Sequence, residues 1–114
     1  MAYFGEFFRS SLEDLEGRKQ SDSRISDALE KYEGRCLRLV INRDAEYVFR
    51  IEGGKVLYQE NPSEVPDDIY VEMDFDRAKR IIEEGRFSPF DLFFVKYRNV
   101  KAEDIELVRT LLQS

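Results

Sequence analysis

The chain has 114 residues, 42% of them hydrophobic and 13% aromatic, with neither Trp nor His and a formal net charge of −6. That length supports one core without disulfide or metal staples, and that apolar share excludes a disordered polymer. The negative charge argues against nucleic acid, the absence of His excludes Ser-His or Cys-His nucleophile systems and His-based metal sites in this chain, and the longest uncharged apolar run, Leu92-Phe93-Phe94-Val95, falls far short of the ~20 residues of a spanning helix.

Tyr3, Phe4, Phe7, Phe8, Leu12 and Leu15 share one side of a first helix, with charges elsewhere around it, and Gly17 is expected to end it. This stripe is expected to dock on the body of the domain; a lid, a membrane-touching helix and a dimer contact are the alternatives. Gly5 lowers helix propensity by ~1 kcal/mol, so the first turn is expected to fray. The start, Met1-Ala2-Tyr3-Phe4-Gly5-Glu6, has no basic opening or long apolar centre, which leads to the expectation of a cytoplasmic location. A second helix over 23–32 turns Ile25, Ala28, Leu29 and Tyr32 inward, and Gly34 stops it.

Alternation then takes over. Cys36–Asn42 reads as a strand with Leu37, Leu39 and Ile41 on one face, and its lone Cys36 reads as a reduced, buried small hydrophobe. A turn over 42–45 leads to a partner strand over 46–52 with Tyr47, Phe49 and Ile51 on one face. Gly53-Gly54 then makes a tight hairpin turn, without the strand-to-helix context of a phosphate loop, and Lys55–Glu60 closes a meander.

Pro66-Asp67-Asp68 forms a turn before a strand over 69–73, where Ile69, Val71 and Met73 share a face. Asp74 caps a helix carrying Phe75, Ala78, Ile81 and Ile82, and Gly85 supplies its left-handed end. Ser88-Pro89-Phe90-Asp91 opens another helix, with Asp91 completing a capping-box-like pair. A short strand over 97–101 and a last helix over 105–112 complete the chain. Asp74 and Asp76, like Asp67-Asp68 and Glu83-Glu84, read as helix-start, turn and solvated residues rather than metal ligands. The order implies an α+β domain spanning 1–114, with a helical segment over 1–33 and, over 34–114, a single mixed sheet covered mainly on one face by helices.

Pro66-Asp67, Gly85-Arg86-Phe87-Ser88-Pro89, 97–101 and 105–112 together resemble the sterol carrier protein type 2 family. The likeness covers most of the chain after Gly34 and departs from the family pattern at Val95-Lys96 and Ala102-Glu103. The resemblance implies five strands and a tunnel between sheet and helices that receives a sterol, fatty acid, acyl-CoA or isoprenoid lipid, for binding or transfer.

Phe87, Phe90, Phe93 and Phe94, with Phe75, Ile81 and Ile82, are the densest aromatic cluster, and spacings of three and four let Phe90, Phe93 and Phe94 converge. Ordinary core packing is the competing reading of such a stripe. The candidate ligand-contacting set is Phe49, Ile51, Val71, Met73, Phe75, Ile82, Phe90, Phe93 and Phe94. Arg86 and Lys96 either meet an anionic head group or simply face water. The expected partner is an apolar small molecule or lipid, with no nucleic acid, no stable membrane insertion, no metal and no cofactor. The protein is expected not to be an enzyme. The alternative is a non-catalytic accessory or scaffold protein without an open pocket, acting through a homodimer or a docked partner.

Overall fold

A computed structural model describes residues 2–64, 68–85, 89–105 and 107. Helix α1 spans Gly5–Lys19 and α2 spans Ser23–Lys31. The strands are β1 (Cys36–Asn42), β2 (Ala45–Glu52), β3 (Lys55–Glu60) and β4 (Ile69–Asp74). Helix α3 (Phe75–Glu84), a 3-10 helix (Pro89–Phe93) and strand β5 (Lys96–Arg98) follow, and residues 102–105 are again helical.

The five strands form one mixed sheet in the order β3-β2-β1-β4-β5. The meander pairs antiparallel, β1 lies parallel to β4, and β5 returns antiparallel along β4. The register aligns Leu39 with both Tyr47 and Val71, Leu37 with Phe49 and Ile69, and Val71 with Tyr97, so these side chains share one face of the pleat. That face meets the helices. The opposite face is charged: Arg38 donates to Glu46, Tyr70 donates to Glu72, and the Arg38 and Arg98 guanidinium groups lie 5.2 and 5.1 Å from the Tyr70 ring centre.

Local chemistry accounts for most boundaries. Asp74 accepts the Asp76 N–H at 3.2 Å and so caps α3, whose C-terminal Gly85 takes φ 67°. Asp22 caps α2 through the Arg24 N–H at 3.0 Å. At the head of β1, Asp68 accepts a two-pronged Arg35 guanidinium, at 2.9 and 3.0 Å, and the Cys36 N–H at 2.9 Å, which joins the starts of β1 and β4.

Three expectations are corrected. Helix α1 runs through the exposed Gly17 to Lys19, its last turn held by Arg18–Asp14 and Lys19–Glu16 pairs at 2.9 Å. Its first turn is anchored rather than frayed. Phe4 is buried, the Tyr3 N–H donates to Asp44 at 2.8 Å, and the Tyr3 hydroxyl donates to Glu83 at 2.8 Å. Asp91 is not a capping residue but a buried ion-pair partner of α3. The expectations for Pro66-Asp67, Arg86, Phe87, Ser88 and the end of the last helix lie outside the described residues.

Candidate functional site

Helix α1 covers one half of the helix-facing side of the sheet with aromatic edges. Phe8 meets Tyr47 and Phe49 edge-on at 5.0 Å, and Phe49 lies 5.4 Å from Tyr58. Phe4 and Phe8 join Leu39, Ile41, Tyr47, Met73, Ala78 and Val95 in a first buried cluster. Leu15, Ile25, Leu29, Tyr32, Ile51 and Leu107 form a second, toward the other ends of α1 and α2. The docking expected of the N-terminal stripe is thus observed for Phe4 and Phe8, while Tyr3 and Phe7 are exposed.

The middle of this face is less completely covered. Leu37 lies on the central strand, with Phe49 beside it in register on β2 and Val71 paired to its neighbour Leu39 on β4, yet all three retain solvent access. A central-strand residue facing the helices would ordinarily be among the most buried in a domain of this size. Phe49, Val71, Phe75, Ile81 and Ile82 line the edge of the first cluster as partly buried side chains. These side chains form an incompletely covered apolar seam, with Leu39 and Ile69 buried on the same face beside them. Its rim carries phenols: Tyr58 donates to Glu60 at 2.6 Å, and burial, reinforced by that bond, pushes its pKa far up, keeping it neutral.

The nine candidate residues fall into three groups. Phe49, Val71, Met73, Phe75 and Ile82 come together at the first cluster, with Met73 buried and the others partly buried. Ile51 shares the Phe49 face but packs in the second cluster. Phe90, Phe93 and Phe94 turn to water, 73%, 82% and 64% exposed, and form no part of an interior wall. The physical reason is the burial of Asp91 against α3, which turns the opposite side of the short helix outward. A 3-10 turn aligns positions three apart, so Phe90 and Phe93 share one side, and Asp91 occupies another, against α3. Lys96 is exposed and aligned with Glu72 on the charged face of the sheet, the face opposite the seam.

Asp91 orients that turn. Its carboxylate is fully buried, accepts Arg77 at 2.5 Å, and accepts Arg80 as well. The Arg77 guanidinium also lies 4.4 Å from the Phe94 ring centre. A shallow concavity of about 370 Å³ here is lined by Asp74, Asp76, Arg77, Arg80 and Phe94, and another of about 430 Å³ lies between α1 and β3. Both are rimmed by charge. Among the described residues no group of three or more acidic or Cys side chains is placed to hold a metal ion, and no helix is long and apolar enough to cross a membrane.

Sequence reasoning missed Leu37 and Asp91. The spacing of Arg77 and Arg80, both able to face one carboxylate from α3, was a usable signal for Asp91. Nothing local marks Leu37, because the burial of a strand residue depends on what packs over it from elsewhere in the chain.

No family model and no curated protein sequence matches the chain. Solved structures do. A protein described as UbiJ-SCP2, a ubiquinone synthesis protein, superposes with a TM-score of 0.60 at 9% identity over 98% of this chain and 93% of its own. The sterol carrier protein domain 2 of Helicoverpa armigera gives 0.57 at 17% identity, covering 90% of this chain and 82% of that one. The apo form of sterol carrier protein 2 from Yarrowia lipolytica gives 0.55 at 14% identity, over 82% and 84%. At these identities the likeness is one of fold, and it matches the five-stranded sheet and helical cover described above.

Proposed function

We infer that this chain, which has the sterol-carrier-protein fold, binds a lipid in the seam at the centre of its sheet and acts as a lipid-binding or lipid-carrying module. The observation that carries the reading is the incompletely buried trio Leu37, Phe49 and Val71 on the three central strands, beside the first apolar cluster. Phe75 and Ile82 from α3 flank it, and Met73 forms its floor. The names of the fold's relatives, two of them sterol carrier proteins and one a ubiquinone synthesis protein, point to the same class of ligand.

Among the described residues the seam offers apolar contact and no buried cation, so affinity must come from the tail. About 14 methylenes at ~0.8 kcal/mol each give a gross transfer gain of ~11 kcal/mol. Association and ordering remove several kcal/mol of it, leaving micromolar or tighter binding without a strong polar anchor. The reading assigns no catalytic residue.

Native mass spectrometry of delipidated protein titrated with palmitate, cholesterol and a polyprenol tests it. A one-to-one adduct with at least one of them is expected, and Val71→Trp, which fills the seam, should abolish that adduct while the far-ultraviolet circular dichroism stays unchanged. Bare protein with all three, or a Val71→Trp variant that binds as well as the parent, overturns the reading.

A further inference from the structure

The two edges of the sheet are protected unequally. Strand β5 has three residues, all exposed, and two of them are Lys96 and Arg98; a short cationic edge of this kind discourages further strand pairing. Strand β3, the other edge, has six residues, and its middle, Val56-Leu57-Tyr58-Gln59, contains no charge, Pro or Gly. Leu57 lies on the face opposite the helices, in register with Arg50, and is 46% exposed.

Hydrogen bonding fixes which main-chain groups of β3 face outward. Ile51 donates its N–H to the Arg35 carbonyl at 3.0 Å, and its own carbonyl accepts the Gly34 N–H at 2.7 Å, so its main chain is turned toward the β1 side. Main-chain groups alternate sides along a strand, so Val48, Arg50 and Glu52 face β3, where Gln59, Leu57 and Lys55 complete the ladder. The Asn61 N–H, on the Glu46 carbonyl at 2.8 Å, continues that pattern. Val56, Tyr58 and Glu60 therefore turn their N–H and C=O groups out of the sheet, and among the described residues no backbone or side-chain group is bonded to them. The concavity of about 430 Å³ between α1 and β3 is lined by Lys55, Val56 and Leu57 in succession. Successive side chains of a strand point to opposite faces, so it is the shared main chain of these three that opens onto it.

The edge is complementary to itself. Antiparallel alignment about Leu57 sets Val56 opposite Tyr58 of a second copy, where both main chains have outward groups to exchange, and sets Leu57 opposite its own counterpart, covering the exposed leucine. It also brings the cationic start of each strand, Lys55, to the end of the other that carries Glu60, whereas parallel alignment would bring like ends together. The residues lining the adjoining concavity include two cations, Arg9 and Lys55, and two anions, Glu13 and Glu16, so in a chain of net charge −6 two copies can meet there across a balanced surface.

We propose that β3 is an interaction surface for a second copy of this chain, pairing antiparallel with the β3 of that copy about Leu57 and joining the two sheets into one. The pairing needs no ligand in the seam. A strand of six residues buries little area, so the dimer is weak and reversible.

Sedimentation velocity of the full chain from micromolar to millimolar concentration should show a monomer–dimer equilibrium. Leu57→Lys sets two cations face to face, with Arg50 beside each, and should raise the dissociation constant about tenfold or more while the far-ultraviolet circular dichroism stays unchanged. Register is read by cross-linking in oxidised glutathione, with the native Cys36 buried. Leu57→Cys should give a disulfide-linked dimer, because residues directly opposed in an antiparallel pair lie about 4.5–5.5 Å apart at Cα, within disulfide reach; Gln59→Cys, opposite Lys55 of the second copy, should not. A monomer at every concentration overturns the proposal and leaves the edge open to an extended segment of another protein. A dimer that Leu57→Lys leaves intact, or equal cross-linking at positions 57 and 59, overturns it too.

Discussion

The Tyr47 hydroxyl accepts the backbone N–H of Phe4 at 3.1 Å, joining residues 43 apart in sequence at the buried start of α1. The same oxygen donates to the Asp44 carboxylate at 2.5 Å, so a single phenol serves a helix start and a hairpin turn. Tyr47→Phe keeps the ring and removes both bonds, leaving a buried amide and a carboxylate short of a partner. A loss of ~1–3 kcal/mol in urea unfolding is expected. Faster hydrogen exchange at the Phe4 and Phe8 amides should accompany it, whereas exchange in α2 should track global stability alone.

The phenols also set the alkaline limit. Burial pushes the Tyr32 pKa to about 12, and burial followed by hydrogen bonding to Asp44 pushes that of Tyr47 higher still, against an ordinary value of 10.0. Both groups hold their protons more tightly folded than unfolded. Their contribution is therefore fully present below pH ~10 and is lost as pH rises above it toward the folded values. Denaturation midpoints measured across this range should fall for the parent and fall less steeply for Tyr47→Phe.

Asp68 governs the acid side. Its hydrogen bonds to Arg35, followed by that from the Cys36 amide, hold its carboxyl below the usual 3.8. A depressed carboxyl stabilises the fold above its unfolded pKa, and the benefit disappears as pH falls through the folded value. Asp68→Asn should cost ~1–2 kcal/mol at neutral pH, since the bonds lost are charge-assisted but partly exposed. Below the carboxylate range the stabilities of variant and parent should converge, as chemical denaturation at each pH would record.

Asp91 and its two arginines are not equivalent partners. Asp91 is fully buried, whereas the Arg77 and Arg80 side chains are partly exposed and can turn to water. Asp91→Ala should therefore cost ~2 kcal/mol, and Arg77→Met/Arg80→Met more, ~3–5 kcal/mol, because it strips the guanidinium partners from a buried carboxylate. Equal costs would show that the carboxylate is satisfied by other means.

Gly5 is buried where α1 meets β3, and a methyl group there would collide with the Glu60 carboxylate and lie 3.2 Å from the Tyr58 hydroxyl. Glu60 is held in place by Arg9 at 2.7 Å and Tyr58 at 2.6 Å. Gly5→Ala should consequently gain nothing in the parent, while in a Glu60→Ala background it should recover much of the ~1 kcal/mol that alanine gains over glycine in a helix. A full double-mutant cycle by urea unfolding reads the coupling.

The strands were legible because alternation is a local signal. Cys36–Asn42 and Lys55–Glu60 have the bounds that their patterns imply, and Asp74 and Gly85 cap α3 as their residue types require. What was not legible depends on partners remote in sequence. Gly5 reads as a weak helix residue until Glu60, on β3, is seen beside it. The 88–94 stretch reads as an inward-facing helix because its phenylalanines dominate the pattern; Arg77 and Arg80 reverse its orientation by capturing Asp91. Within the candidate site, Phe49, Val71, Met73, Phe75 and Ile82 could be grouped from strand parity and helical spacing. The incomplete cover of Leu37 could not, because alternation marks a strand's inner face but not how closely the other layer packs on it.

The parallel pairing of β1 with β4 gives the domain an uneven assembly cost. Each strand of the meander meets the next across a tight turn, so the first three strands close short loops. The joint between β1 and β4, sealed at Cys36 and Asp68, instead links positions 32 apart and must enclose the whole hairpin before it returns any contact energy. The half of the sheet that holds β4 and β5 therefore carries the larger loop-closure cost, and it rests on the one joint that Arg35, Cys36 and Asp68 close.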